Sequence, residues 1–138
     1  MPFVSITRLR VRKLKYLPGF GWYTLRCYFQ AQRDRSNSRL VLLMDRRLTF
    51  WTVTTWSSER SMRTFRNSGA HLLAMRRLAL WCDEATYVNW AQEEDELPSR
   101  PTIYERLVTE GIVTRVQSPS VNHQKRSFNR PNWADSTY

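Results

Sequence analysis

The chain has 138 residues, of which 41% are hydrophobic and 25% charged. That is one domain's worth of sequence, with enough apolar content for a core without disulfide or metal staples, and it excludes wholesale disorder. Twenty-two Lys and Arg against 12 Asp and Glu leave a net charge of +10, which favours anionic partners and leaves the fold open.

The first predicted element is a strand over residues 3–11. Val4 and Ile6 share one face, and Phe3, Leu9 and Val11 the other. Its exit is basic, and alternation sets Arg8, Arg10 and Arg12 on one side. Such a row blunts an edge strand against aggregation or contacts nucleic acid. No zinc finger, RNP-type aromatic motif or helix-turn-helix pattern accompanies it, so nucleic-acid binding is not expected. Leu17-Pro18-Gly19-Phe20 then opens a helix over 18–33, because proline is tolerated in a first turn.

The apolar run over 39–44, the turn Asp45-Arg46-Arg47 and the aromatic and β-branched run over 49–56 predict an antiparallel pair. Both faces of the second member are apolar, with Phe50 and Trp56 on one and Trp51 and Val53 on the other. A sheet with one wet face would not have this pattern. Ser57 or Ser58 caps a helix carrying Met62 and Phe65 inward, Asn67-Ser68-Gly69 interrupts it, and a second helix runs over 70–81. On that helix Met75, Leu78 and Cys82 share a stripe with His71. Residues 85–90 form a fourth strand, the acidic run 93–96 a solvated surface, and Asp83-Glu84 a solvated pair of diverging carboxylates. A short helix over 102–110 closes at Gly111, and 112–116 forms a last short strand.

The order is βαββαβ, an α+β ferredoxin-like arrangement with both helices on one sheet face. The simplest cover for the other apolar face is the same sheet of a second copy, giving a homodimer closed into a dimeric α+β barrel. The expected organisation is one domain over 1–117, including the C-terminal helix and strand, followed by a loosely ordered tail over 118–138. In that tail Trp133 and Tyr138 are the exceptions to a Ser, Asn, Pro, Arg and Gln composition.

Cys27 and Cys82 lie far apart without a CxxC and read as reduced thiols. With only His71 and His123, no Cys/His metal cluster assembles. The longest aliphatic run, over 40–44, falls far short of the roughly 20 residues of a membrane span. The N-terminus has no signal-peptide pattern, and the expected location is the cytoplasm.

The block Phe65-Arg66-Asn67-Ser68-Gly69-Ala70-His71, with Met75, Leu78, Trp81-Cys82-Asp83-Glu84-Ala85 and Trp90, resembles a family of small bacterial proteins. That family is grouped with spheroidene monooxygenase and the antibiotic-biosynthesis monooxygenase-like proteins. Leu17-Pro18-Gly19-Phe20 and Phe50-Trp51-Thr52 fit the same pattern, and the resemblance spans residues 3–92. It implies a dimeric α+β barrel and oxygen chemistry, either cofactor-free or with bound haem.

His71 is the leading candidate residue. It lies in a first helical turn, where unpaired amides and the helix dipole favour a neutral imidazole that ligates haem iron or acts as a base. A structural role, tying a loop to the helix, is the competing reading. Arg66 is the candidate for a haem propionate or other carboxylate, and Asn67 for orienting an oxygen atom; an exposed arginine and a helix cap are the plain alternatives. Trp81, Trp51 and Trp56 either wall an apolar cavity or belong to the core. The expected function is oxidation of a hydrophobic small molecule. A non-enzymatic ligand-binding or structural protein of the same fold comes second, and nucleic-acid binding third.

Overall fold

In a computed structural model, residues 1–135 are described. Tyr138, singled out in the tail, lies outside them. The chain forms β1 (Phe3–Val11), α1 (Leu17–Arg33), β2 (Asn37–Asp45), β3 (Thr49–Trp56), α2 (Glu59–Arg66), α3 (Gly69–Trp81) and β4 (Cys82–Ala91). These are followed by α4 (Arg100–Glu110), β5 (Ile112–Val113) and α5 (Val121–Lys125). The sheet is antiparallel throughout, in the order β2-β3-β1-β4-β5. This is the expected ferredoxin-like α+β order, extended by the two residues of β5.

β1 is therefore a central strand, not an edge. Both of its sides are paired, to β3 and to β4. The expectation that its arginines guard an edge fails for this reason, since a strand with two neighbours has no free edge to protect.

The register sorts side chains onto two faces. Phe3, Trp56, Phe50 and Leu9 face the helices, where Met62 and Phe65 close one cluster and Phe20 and Trp81 another. Met75, expected on the inward stripe of α3, is instead exposed. On the opposite face Val4, Ile6, Trp51, Val53 and Val88 form the largest cluster.

That opposite face is covered from within the same chain. Ile103 and Leu107 of α4 are fully buried against it, and Trp133 and Ala134 from a 3-10 turn at Asn132–Asp135 are buried beside them. Trp133 meets Trp51 edge-on, with ring centroids 4.9 Å apart. The apolar second face that pointed to a partner copy thus finds its cover intramolecularly.

Residues 118–135, expected to be loosely ordered, are tied down at several points. Ser120 caps α5, His123 is buried with its Nδ1 accepting from the Ala85 amide at 3.4 Å, and the Ser120 amide donates to the Asp83 carbonyl. Composition misleads here because only a few buried side chains anchor the segment, too few to set a hydrophobic period. Burying one indole is worth several ordinary contacts.

Candidate functional site

The sequence candidates gather around the α2–α3 junction. Ser58 caps α2 by accepting from the Ser61 amide, and the helix ends at Asn67. Gly69 takes φ +57, a left-handed conformation that glycine adopts without penalty. A β-carbon there would also stand 3.1 Å from the Gln30 side chain. Gln30 holds the junction from α1. Its Nε2 donates to the Ser68 carbonyl at 3.0 Å, and its Oε1 accepts from the His71 amide at 3.0 Å. Sequence reasoning missed Gln30, because a glutamine in a helix carries no motif.

His71 Nδ1 lies 3.1 Å from the Arg66 carbonyl oxygen. A carbonyl only accepts, so Nδ1 carries the proton and Nε2 keeps its lone pair. Burial lowers the imidazole pKa from 6.5; the bond to the Arg66 carbonyl opposes this and the Arg66 charge adds to it. The ring is neutral at neutral pH and stacks at a tilt on Phe65, centroids 4.9 Å apart. Half-buried Arg66 has its Nε sealed from solvent without a hydrogen-bond partner among the described residues.

The other two candidates do not join this pair. Asn67 is exposed, beside Arg63 and Thr64 in an open groove along the outer side of α2. Trp81 ends α3, about 15 Å along the helix from His71 at 1.5 Å per residue. Its indole packs on Phe20 and Tyr23 at 6.4 and 5.4 Å, so it is core. Trp51 and Trp56 are buried in separate clusters on opposite sheet faces. His71, Arg66 and Trp81 therefore do not surround one macrocycle, and the residues present do not fit haem.

A second constellation lies on the other sheet face, where the apolar row of β1 turns polar. Arg8 and Arg10 continue the face of Val4 and Ile6 and pair in register with Thr86 and Glu84 of β4. Glu84 is 1% exposed, not solvated. It accepts from Arg8 Nη1 at 2.7 Å, Arg10 Nη1 at 3.0 Å and Ser120 Oγ at 2.9 Å. Burial pushes its carboxyl pKa up, but the hydrogen bonds from Arg8 and Arg10 outweigh that and hold it below its usual range. Asp83 does not diverge from Glu84 as expected: its Oδ2 lies 3.5 Å from the same Arg10 Nη1, and burial raises its pKa against the opposing pull of Arg10.

The Arg8 guanidinium lies between the rings of Trp51 and Phe128, 5.7 and 5.1 Å from their centroids. Next to it opens a pocket of about 170 Å³, roofed by residues from 122 to 132. Alternation along β1 was the legible signal for this site. Its acidic partner and its roof came from 74 or more residues away in the chain.

The chain has a ferredoxin-like α+β fold, and solved structures share it. SnoaB, a cofactor-independent oxygenase from Streptomyces nogalater, is 14% identical, with 67% of this chain and 94% of that chain covered and a TM-score of 0.56. Rv0793 from Mycobacterium tuberculosis is 9% identical over 68% and 97% of the two chains, with a TM-score of 0.61. An antibiotic biosynthesis monooxygenase is 8% identical over 67% and 99%, with a TM-score of 0.58. At these identities the likeness is one of fold. No protein-family model and no curated protein sequence matches the chain. About a third of this chain has no counterpart in those three structures, whereas they are covered almost completely.

Proposed function

We propose that the protein is a cofactor-free oxygenase acting on an apolar small molecule, with His71 as the base. The observation that carries the reading is the bond from His71 Nδ1 to the Arg66 carbonyl. It leaves a neutral Nε2 to take a proton from an acidic C–H or O–H. A substrate carbanion formed this way gives two electrons to dioxygen as a C–O bond forms, leaving a hydroperoxide. That hydroperoxide loses water together with the second hydrogen of the same carbon to leave a carbonyl group, which supplies the other two electrons, so the substrate is the sole reductant. Arg66, whose buried Nε has no partner among the described residues, offers positive charge to that anion. The named oxygenase among similar folds supports the reaction class. Haem is left out of the proposal because its expected holders stand apart.

The test is oxygen consumption on a panel of apolar phenols and anthrones, with wild type and His71→Ala compared. Loss of a general base is expected to slow turnover by about 10²–10⁴-fold. A folded His71→Ala protein with undiminished oxygen uptake would sink the assignment.

One observation favours the second reading, a non-enzymatic ligand-binding protein. The face expected to enclose a barrel cavity with a second copy holds Ile103, Leu107 and Trp133 of the same chain. Binding of an apolar ligand without oxygen uptake, unaltered in His71→Ala, would select it. A cytoplasmic location remains part of the proposal, resting on the free thiols Cys27 and Cys82. A homodimer is likewise a proposal; pairing through this sheet face requires the chain's own cover to leave it.

A further inference from the structure

We propose that the pocket beside Arg8 and Glu84 binds a small oxyanion, a phosphate or carboxylate group. This site is independent of His71 and lies on the opposite face of the sheet.

Charge is the first support. Five arginines line the pocket, Arg8, Arg10, Arg46, Arg47 and Arg130, against two carboxylates, Asp45 and Glu84. Glu84 is already engaged by Arg8 and Arg10. Arg130 is paired with Asp135. Arg46 and Arg47 make no salt bridge among the described residues, so positive charge remains in excess. Arginine suits this role because its planar fork matches the two oxygens of a carboxylate or phosphate.

Unmet hydrogen bonding is the second support. Arg8 lines the pocket and is 3% exposed, yet its Nε has no hydrogen-bond partner among the described residues. Buried donors are rarely left unsatisfied, and an occupant of the pocket is the kind of partner that accounts for one.

Backbone strain is the third. In the β2–β3 turn, Arg47 and Leu48 both have positive φ, 57° and 61°. Neither is glycine, and each such residue is strained. The turn is held by Arg10, whose Nε donates to the Arg47 carbonyl at 3.2 Å, and by the Val11 amide on the Leu48 carbonyl at 3.0 Å. The strained conformation sets Arg46 and Arg47 at the pocket rim. Asn122 and Asn132 add amides from the roof, and Asn132 Oδ1 accepts from Arg46 Nη2 at 3.4 Å. A volume of about 170 Å³ limits the occupant to a small group. It lies well below the roughly 300–1,000 Å³ of drug-sized sites.

The test is calorimetric titration of the full chain with inorganic phosphate and with glutarate, at constant ionic strength set by sodium chloride. Saturable binding of phosphate, glutarate or both is expected, and the stronger arm names the headgroup. Arg46→Gln/Arg47→Gln is the diagnostic variant, because both side chains are exposed and outside the core. Its affinity is expected to fall by about tenfold or more, the scale of one charge-assisted hydrogen bond, with an unchanged melting temperature without ligand. His71→Ala is expected to bind as wild type does, which separates this site from the proposed oxygenase site. Absence of saturable binding by both anions at millimolar concentration would overturn the proposal. Unchanged affinity in the double variant, or binding of a DNA duplex but of neither small anion, would do the same.

Discussion

The two proposed sites lie on opposite faces of one sheet, and they are built in opposite ways. The His71 corner is local: Arg66 and His71 are five residues apart, joined by one backbone carbonyl and clamped by Gln30. The Arg8–Glu84 corner draws on β1, β4, the β2–β3 turn and the segment after α4. The first is a neutral imidazole beside an aromatic ring, while the second is an ion-pair network with a buried Arg8–Glu84 pair at its centre and partly exposed Arg10 beside it. Local sites depend on a helix cap and a glycine. Non-local ones depend on register and on whatever covers the sheet, so they fail together with the cover.

The largest expected effect tests that dependence. A chain ending at residue 117 loses the buried His123, Trp133 and Ala134 and uncovers Trp51. It is expected to lose most of its stability and to self-associate through the bared face, read by urea titration and light scattering. Trp133→Ala alone is expected to cost about 3–5 kcal/mol. A truncated chain that stays monomeric and melts like the full chain would show that the segment is not a structural cover.

Glu84→Ala comes next. Removing one partner of a buried pair strands the other charge, here Arg8 at 3% exposure, at a cost of about 3–5 kcal/mol. The loss is expected to follow pH as well. The Glu84 pKa lies below its ordinary 4.5 in the folded chain, so its contribution is full above that pH. It disappears as the pH falls through the lowered value, and acid denaturation curves of wild type and Glu84→Gln should converge at low pH.

His71→Ala is expected to cost about 1 kcal/mol, the low end of the range for a hydrogen bond lost with its acceptor left behind, because this bond is only partly buried. The folded ring stays neutral while the unfolded one protonates near 6.5. Its contribution is therefore full above that pH and diminishes as the pH falls below it. A variant with the wild-type pH dependence between 5 and 7 would show that the ring is not buried as described.

The smallest effect serves as the reference. Arg63–Glu59 has the same pairing chemistry as Arg8–Glu84, at 2.6 Å, but both side chains are more than half exposed. Arg63→Ala is expected to cost less than about 0.5 kcal/mol, because water screens the pair. Equal losses at Glu84 and Arg63, measured by the same denaturant titration, would remove burial as the distinction between them.

The elements and their order were legible in the chain because they follow from local rules: alternation in β1 and β3, the Ser58 cap, the glycine after α2. The doubly apolar β3 was legible too, and it required a cover on each face. Alternation also set the side chains of Arg8 and Arg10 on the face of Val4 and Ile6. What the cover is could not be read from the pattern. Ile103, Leu107 and Trp133 sit in stretches without a strand-like or strongly helical period, and they match the sheet only once the chain returns to it. Pairing with β3 and β4 gives β1 two neighbours and puts Glu84 against Arg8 and Arg10, and the return of the chain adds Ser120 to Glu84. A run of arginines, read from sequence as a solvated edge, thereby becomes a buried network. Tertiary structure decided these points because they join residues far apart in the chain, 76 and 74 positions for Glu84 with Arg8 and Arg10, and hydrophobic periodicity carries no information at that range.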